Sequence, residues 1–321
     1  MIGAKLKMGI NLNIEDNPSF YRDYREGLQY LRDLDESEYE YPANQTIFHV
    51  YSEFKTPKEL MALKSYLATQ NLEKTKLIVW SDYDISGQEN IQPYKDLVDL
   101  RVYRGEDLAK DTPLENSKIH FSLGGDQNHW MHSGIMRFLA LYKFGGIYYD
   151  MDIILLRDFK PILNQDFAYQ WGGATDFAKE RRDLPDCHGP CAALVGARYK
   201  SEFIEECMQR LLITPPSGGT CYDEDMLSYV YRKTKFTVFP SSFFDTQWLI
   251  SKVSVDDSVV AENEMLDTPV GDESRLFLEA FAWHWHNSSY KNKIPVKDSK
   301  FYTLEQLTNQ RLKEKGIINE S

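Results

Sequence analysis

Residues 46–80 show the pattern of a strand, a helix and a second strand, and this order limits the fold more than any other feature. The segment 46–51 is short and rich in residues that favour β-strands. A helix start follows, in which Thr56 can cap the first turn and Pro57 takes the first helical position. The run 77–80 is apolar without alternation, as in a strand buried on both faces. The segment therefore predicts a parallel βαβ unit within an α/β protein.

A second helix and strand lead into two aspartates. Apolar side chains recur with helical spacing from a possible cap at Asp126 to the glycine pair 145–146, where the helix is expected to end. The apolar strand 147–149 then runs directly into Asp150 and Asp152. Because strand side chains alternate between faces, these two carboxylates are expected to project to the same side.

The order of these segments predicts the architecture. We expect an α/β fold with a Rossmann-like, mostly parallel sheet flanked by helices. The strands of the βαβ unit and the strand before the aspartates are expected to be neighbours or near neighbours. Residues 1–45 are interpreted as a helical N-terminal extension, residues 46–290 as the central domain, and residues 291–321 as a helical C-terminal extension.

The charge of the chain argues against nucleic acid as a partner. There are 37 Lys and Arg residues against 49 Asp and Glu residues, a net charge of -12, which opposes binding to phosphate backbones. The sequence has no run of about 18 apolar residues, and its four cysteines are too few for a disulfide framework. We expect no transmembrane segment and a cytoplasmic protein, at most peripheral to a membrane.

The acidic pair alone allows two interpretations. Two hard oxygen ligands at the end of a buried parallel strand suit Mg²⁺ or Mn²⁺, which can bridge to a diphosphate. A solvated strand end is the alternative, since a bare Asp-x-Asp often occurs by chance. The surrounding sequence favours the first interpretation. Arg137, the glycine pair, several aromatic residues and both aspartates lie within residues 137–152.

This longer motif resembles the sugar-donor motif of glycosyltransferases with the GT-A fold. The pattern is most similar to glycosyltransferase family 32 and to the α-1,4-galactosyltransferases, and more distantly to the glucosylating domain of large clostridial toxins. Residues 47–49 resemble the first strand of that family, residues 77–82 its second strand, and residues 282–289 its closing histidine element. The likeness spans residues 46–290.

The resemblance implies a metal-dependent retaining hexosyltransferase of the GT-A type. It implies Mn²⁺ or Mg²⁺ as cofactor, a UDP- or GDP-sugar as donor, and a glycan or glycolipid acceptor that receives an α-linkage, as in polysaccharide biosynthesis. The implied residues are, for catalysis, Asp150, Asp152, Arg137 and Asp225; for donor binding, His49, Tyr51, Trp80, Asp82, Arg137 and Asp150; and for metal binding, Asp150, Asp152, His284 and His286.

Less specific alternatives exist for two of these groups. Arg137 could serve only as a salt-bridge partner of Asp150. The run Trp-His-Trp-His at 283–286 could be an ordinary strand with satisfied histidines. Alternation along this run puts both histidines on one face and both tryptophans on the other, so one face can belong to the core and the other to a site.

Two departures from the family pattern keep other functions open. Gly134 stands where the family usually has an aspartate that contacts the donor, so either His132 or Asp126 takes over or donor binding has changed. Ser52 stands where a tryptophan usually stacks on the base, and Tyr51 lies one residue early, facing the other side of the strand. The alternatives are a toxin-like transferase that glycosylates a host protein and a catalytically weak nucleotide-sugar-binding module.

Overall fold

The computed structural model describes residues 6–12, 24–119, 121, 129–170, 189–214, 222–245, 278–290 and 292–319. The α-helices within these residues are α1 (Tyr24–Arg32), α2 (Pro57–Thr69), α3 (Gly105–Ala109), α4 (His129–Phe144), α5 (Glu202–Ile213), α6 (Tyr222–Lys233), α7 (Asn287–Tyr290) and α8 (Lys300–Glu314). The strands are β1 (Thr46–Tyr51), β2 (Thr75–Ser81), β3 (Asp99–Val102), β4 (Gly146–Tyr149), β5 (Ile153–Leu155), β6 (Phe167–Gln170), β7 (Pro190–Ala197), β8 (Thr237–Phe239) and β9 (Ala282–His284).

Seven strands form one sheet in the order β3-β2-β1-β4-β7-β6-β8. The pairs β2/β3, β1/β2, β1/β4 and β6/β8 are parallel, whereas β7 runs antiparallel to both of its neighbours. The prediction of an α/β fold with a mostly parallel sheet is confirmed. The strands β2, β1 and β4 are direct neighbours, as the sequence predicts.

The βαβ unit forms as its local sequence dictates. The side chain of Thr56 accepts a hydrogen bond from the backbone N–H of Glu59, and Pro57 occupies the start of α2. This arrangement satisfies a donor that the first turn would otherwise leave unpaired. The helix returns the chain so that β1 and β2 pair in parallel, with Phe48 opposite Leu77.

Two apolar cores cover the two faces of the sheet. Phe48 and Val50 belong to one core, whereas Tyr51 and Trp80 belong to the other. Helix α2 covers the first face, where the Tyr149 hydroxyl donates to the carbonyl of Ala62. Residues of α4 and α5 pack in the second core. Both faces of the central strands are therefore buried, which explains their continuous apolar sequence.

The turn from α4 into β4 requires two glycines. Gly145 and Gly146 have φ angles of +66° and +97°. Residues that carry a Cβ atom rarely adopt such positive φ angles. A Cβ atom on Gly146 would lie 1.8 Å from the carbonyl oxygen of Ile47. The glycine pair thus ends the helix and allows β4 to approach β1 closely, which fixes the position of the aspartates that follow.

A small second sheet lies beside the main one. Strands β5 and β9 pair antiparallel, with Ile153 opposite His284. The N-terminal helix α1 contributes Leu28 and Leu31 to the first core, and Arg157 donates to the carbonyl of Leu31. Across the described part of the chain, no helix has both the length and the apolar character that crossing a membrane requires.

Candidate active site

Both aspartates of the motif lie in the turn between β4 and β5. The Asp150 N–H donates to the carbonyl of Ala193 on β7 at 2.7 Å, and the Ile153 N–H donates back to the carbonyl of Asp150 at 3.0 Å. The turn follows the carboxyl end of β4, where the parallel neighbour β1 also ends. The pair therefore occupies the sheet edge at which α/β proteins usually bind ligands.

Asp150 is held by a cation and a hydroxyl. The Arg137 guanidinium donates to its Oδ1 at 3.0 Å, and the Tyr148 hydroxyl donates to the same oxygen at 2.6 Å. The guanidinium also lies over the Tyr148 ring, 4.6 Å from its centroid. Burial raises the pKa of Asp150, and the charge of Arg137 opposes that rise. Arg137 thus brings a fixed positive charge to the acidic pair.

Asp152 contacts the closing segment instead. Its Oδ2 lies 3.2 Å from His284 Nε2 and accepts a hydrogen bond from the backbone N–H of Asn287 at 2.8 Å. Burial alone would raise the pKa of Asp152, but His284 and the Asn287 amide lower it to about 2. Burial likewise disfavours the imidazolium form of His284, yet Asp152 raises its pKa to about 9. The two groups form a buried imidazolium–carboxylate pair.

A third carboxylate, Asp245, joins these histidines, and the sequence reasoning missed it. Both of its oxygens lie 3.1 Å from His286 Nε2, and Oδ2 lies 3.9 Å from His284 Nδ1. Asp245 is 0% exposed. Ligand atoms of these three residues all lie within 4.8 Å of one another. No local motif marks Asp245, because only the pairing of residues 243–244 with the closing segment brings it here.

The residues expected to bind the nucleotide form a second group. The Tyr51 hydroxyl donates to Asp82 Oδ1 at the carboxyl ends of β1 and β2. His132 Nδ1 lies 3.7 Å from the same Asp82 oxygen. The Tyr51 ring meets the ring of Tyr103 edge to face, with centroids 6.0 Å apart. Tyr51 shares its face of the sheet with Trp80, so this group lies on the α4 side.

His49 lies deeper, inside the sheet. Its Nε2 lies 3.0 Å from the carbonyl oxygen of Gly145, and Trp80 Nε1 donates to its Nδ1 at 3.3 Å. These contacts define a neutral ring with the proton on Nε2, since Nδ1 must accept. Burial lowers the pKa of His49 to about 4. Both ring nitrogens contact protein groups, so the ring is part of the buried interior beside β1.

Helix α4 connects the two groups. His132 lies beside Asp82, and Arg137 five residues later binds Asp150, a separation of about 7.5 Å along a helix. Gly134 lies between them, and a Cβ atom there would meet no atom of the described residues within 4 Å.

Some residues singled out from the sequence lie outside the described residues. These are Asp126 and the side chain of Asp225, although the backbone of Asp225 belongs to α6. The structure brings Asp150 together with Arg137. It places Asp152 beside His284, and the His286 ring stacks on the His284 ring. Tyr51 and Asp82 form the separate group described above.

Comparison with known proteins identifies the class. Residues 57–168 match the family model described as a glycosyltransferase sugar-binding region containing a DXD motif. The matched range contains Arg137, Asp150 and Asp152. The protein is therefore an enzyme of the glycosyltransferase class, which implies a sugar donor and an acceptor. No curated protein matches the sequence.

Several solved glycosyltransferases resemble the chain in shape. The PaToxG glycosyltransferase is 13% identical with a TM-score of 0.44, over 83% of this chain and 96% of that one. GlyE of Streptococcus pneumoniae TIGR4 is 13% identical with a TM-score of 0.46, over 87% of this chain and 65% of GlyE. The bifunctional glycosyltransferase WbbM is 10% identical with a TM-score of 0.48, over 87% of this chain and 52% of WbbM. At such low identity and TM-score, no activity is transferred from these proteins.

Proposed function

We propose that the protein is a metal-dependent retaining glycosyltransferase. It would transfer a hexose from a UDP- or GDP-sugar to a glycan or glycolipid acceptor and form an α-glycosidic bond. The observation that carries this proposal is the acidic pair at the carboxyl edge of the sheet, where Asp152 contacts His284 of the closing segment at 3.2 Å. The match of residues 57–168 to a DXD sugar-binding region supports the donor class.

The donor set around Asp152 fits a divalent cation. Two carboxylates and nearby imidazoles provide the oxygen and nitrogen ligands that Mn²⁺ accepts, and the carboxylates alone suit Mg²⁺. Asp150 and Asp152 would hold the ion, and His284 or His286 would complete its shell as a neutral imidazole, so that His284 would release a proton when the ion binds. A cation here supplies stabilisation of the negative charge that develops on the departing diphosphate.

Arg137 provides a positive charge at the same edge of the sheet, in addition to the charge of the cation. Its side chain is 4% exposed and its guanidinium is bound to Asp150, so the charge is already oriented at the edge where the donor would lie. A planar guanidinium can bind phosphate through two parallel hydrogen bonds. We infer that Arg137 pairs with the donor while Asp150 holds it in place. Asp225, at the start of α6, is proposed to contact the sugar or the acceptor.

Tyr51, Trp80 and Asp82 are proposed to form the nucleoside side of the site. The Tyr51–Asp82 hydrogen bond fixes a carboxylate and an aromatic ring at adjacent strand ends. Such a pair offers the Asp82 carboxylate as an acceptor for base or ribose donors, with the buried Tyr51 hydroxyl holding it in place. The distance of about 7.5 Å along α4 from His132 to Arg137 suits a nucleotide that extends from one group to the other. His49 would support this wall without contacting the ligand.

The cellular location is part of the proposal. Cys191 and Cys207 are buried free thiols, which is typical of a reducing compartment. We therefore place the enzyme in the cytoplasm, attached to a membrane through its acceptor.

A ligand-stabilisation screen tests this proposal. Thermal unfolding is measured with each of a panel of UDP- and GDP-sugars, with and without Mn²⁺. One nucleotide class is expected to stabilise the protein by about 2.7 kcal/mol at one hundred times its Kd, with Mn²⁺ only. Asp150→Asn should lose this response. Stabilisation by no sugar nucleotide would contradict the proposal, and a β-linked product detected by NMR would refute retention.

A further inference from the structure

Two exposed apolar side chains lie in the loop that follows the closing segment. We call residues 292–298 the Ile294 loop. Ile294 is 84% exposed and Val296 is 39% exposed, on either side of Pro295. Single exposed apolar residues need no explanation, but here two of them lie within three residues. Burial of this apolar pair against another surface would remove apolar area from water and is therefore favourable.

The sequence around the apolar pair is basic, although the protein as a whole is acidic. Residues 290–300 contain four lysines and one acidic residue, Asp298, whereas the whole chain has a net charge of -12. Lys297 is exposed on one side of the pair, and Lys293 is half-buried on the other side. The apolar pair is thus flanked by positive charge.

Lys58 of α2 holds the loop at its base. Its ammonium group donates to the carbonyl of Tyr290 and, at 2.7 Å, to the carbonyl of Lys293. The same group lies 5.0 Å from the centroid of the Trp285 ring, which is buried in the first core. The loop therefore starts from a fixed point, and Ile294 comes directly after it.

This fixed point lies at the edge of the sheet that carries the acidic pair. The backbone N–H groups of Trp285 and Asn287 donate to the carbonyl and to the Oδ2 of Asp152. Ile294 follows Asn287 by seven residues, which span at most about 25 Å when fully extended, and the helical turn α7 shortens this path. A surface that binds the Ile294 loop would therefore lie close to the site of transfer.

An anionic lipid bilayer fits these features. Anionic headgroups attract lysines at a bilayer surface, while apolar side chains enter the boundary between the headgroups and the acyl chains. A second copy of this chain fits less well, because two proteins that each have a net charge of -12 repel each other. The proposed function gives a bilayer contact a use, since a glycolipid acceptor is presented at a bilayer.

We propose that the Ile294 loop binds the surface of an anionic lipid bilayer and so places the active site beside a lipid-linked acceptor. The apolar pair enters the interface, and Lys293 and Lys297 contact the headgroups. This inference rests on the proposed function and narrows the acceptor class to glycolipids. Binding through the loop is weak and reversible, because stable anchoring requires more apolar surface than two side chains provide.

The test is flotation of the protein with phosphatidylcholine vesicles that contain or lack phosphatidylserine, without any sugar nucleotide. The wild type is expected to float with the phosphatidylserine vesicles, and less so at higher ionic strength. Ile294→Glu should lower the partition coefficient at least about tenfold. Ile213→Glu is the matched control, because Ile213 at the end of α5 is 68% exposed and the change in net charge is the same. The control should bind as the wild type does.

Three results would overturn the proposal. The first is a wild type that does not float with phosphatidylserine vesicles or that floats equally with both kinds. The second is wild-type binding by Ile294→Glu, and the third is an equal loss in Ile213→Glu, which would show a response to net charge alone. Circular dichroism shows whether the variants fold, and Lys297→Glu decides the outcome if Ile294→Glu does not.

Sedimentation velocity without lipid tests the other occupant. A wild-type dimer that Ile294→Glu dissociates would assign the loop to a contact between two copies and would also overturn the proposal. Vesicle binding is measured without a donor, and the ligand-stabilisation screen is measured without lipid. Failure of the bilayer contact and failure of the proposed glycosyltransferase function can therefore be told apart.

Discussion

The buried imidazole of His49 makes the stability of the protein depend on pH. In the folded state its Nδ1 accepts from Trp80 Nε1 and its Nε2 lies against the Gly145 carbonyl. A second proton would have to be placed on Nδ1, where it would face the indole N–H. Protonation is therefore opposed both by burial and by this geometry, and the pKa of His49 falls to about 4.

The size of the effect follows from the difference between the folded and unfolded pKa values. The unfolded chain binds the proton near the ordinary histidine value of 6.5, and the folded chain near 4. The group thus contributes stability above pH 6.5 that is lost as the pH falls toward 4. Each pH unit in this window changes the free energy of unfolding by about 1.4 kcal/mol. His49 alone should remove about 2 kcal/mol between pH 7 and pH 5.

The assay compares the wild type with His49→Gln. The glutamine amide can still donate toward the Gly145 carbonyl but does not titrate. Urea unfolding followed by tryptophan fluorescence gives the free energy of unfolding at pH 7, 6 and 5 for both proteins. The variant is expected to be less stable at pH 7, because Trp80 loses its acceptor, and to lose about 2 kcal/mol less than the wild type between pH 7 and pH 5. Equal pH slopes in the two proteins would refute the assignment of His49 as a buried neutral ring.

Two further predictions concern the elements that position the site. Gly146→Ala is expected to prevent folding or to cost more than about 3 kcal/mol, since its Cβ would lie 1.8 Å from the Ile47 carbonyl oxygen. Gly134→Ala should be tolerated, because its Cβ would meet no atom of the described residues within 4 Å. Similar melting temperatures for the two variants would contradict this prediction. Lys58→Met removes two hydrogen bonds from the ammonium group to the carbonyls of Tyr290 and Lys293, directly after the closing segment, and should speed amide exchange in residues 286–293 at least about tenfold. Unchanged exchange there would show that the ammonium group does not hold the segment.

The sequence was sufficient for the parts of the fold that local patterns determine. The cap at Thr56, the glycine pair and the apolar strand before Asp150 each have a local physical reason, and each element forms where it was predicted. The alternation in the closing segment was also readable, because Trp283 and Trp285 are fully buried in the core while the histidines face Asp152 and Asp245.

Long-range pairing determined the rest. The four-residue strand β6 was not predicted, and neither was the antiparallel direction of β7, since a short strand carries little periodic signal and its partners are distant in the sequence. Asp245 could not be recognised for the same reason. It follows a run of serines and phenylalanines and reaches the histidines only through the backbone pairing of residues 243–244.

The most direct test of the central claim is the metal dependence of donor turnover in Asp152→Asn. Release of nucleoside diphosphate from the preferred sugar nucleotide is measured across a Mn²⁺ titration for the wild type, for this variant and for the control Asp99→Asn, which removes a carboxylate paired with Arg101 and Lys76. If Asp152 serves the cation that stabilises the departing diphosphate, the variant should fold normally, and its kcat/KM should be at least about a hundredfold lower, while Asp99→Asn retains wild-type turnover. Mn²⁺-dependent turnover of Asp152→Asn at the wild-type rate would contradict a metal-dependent glycosyltransferase site at this acidic pair.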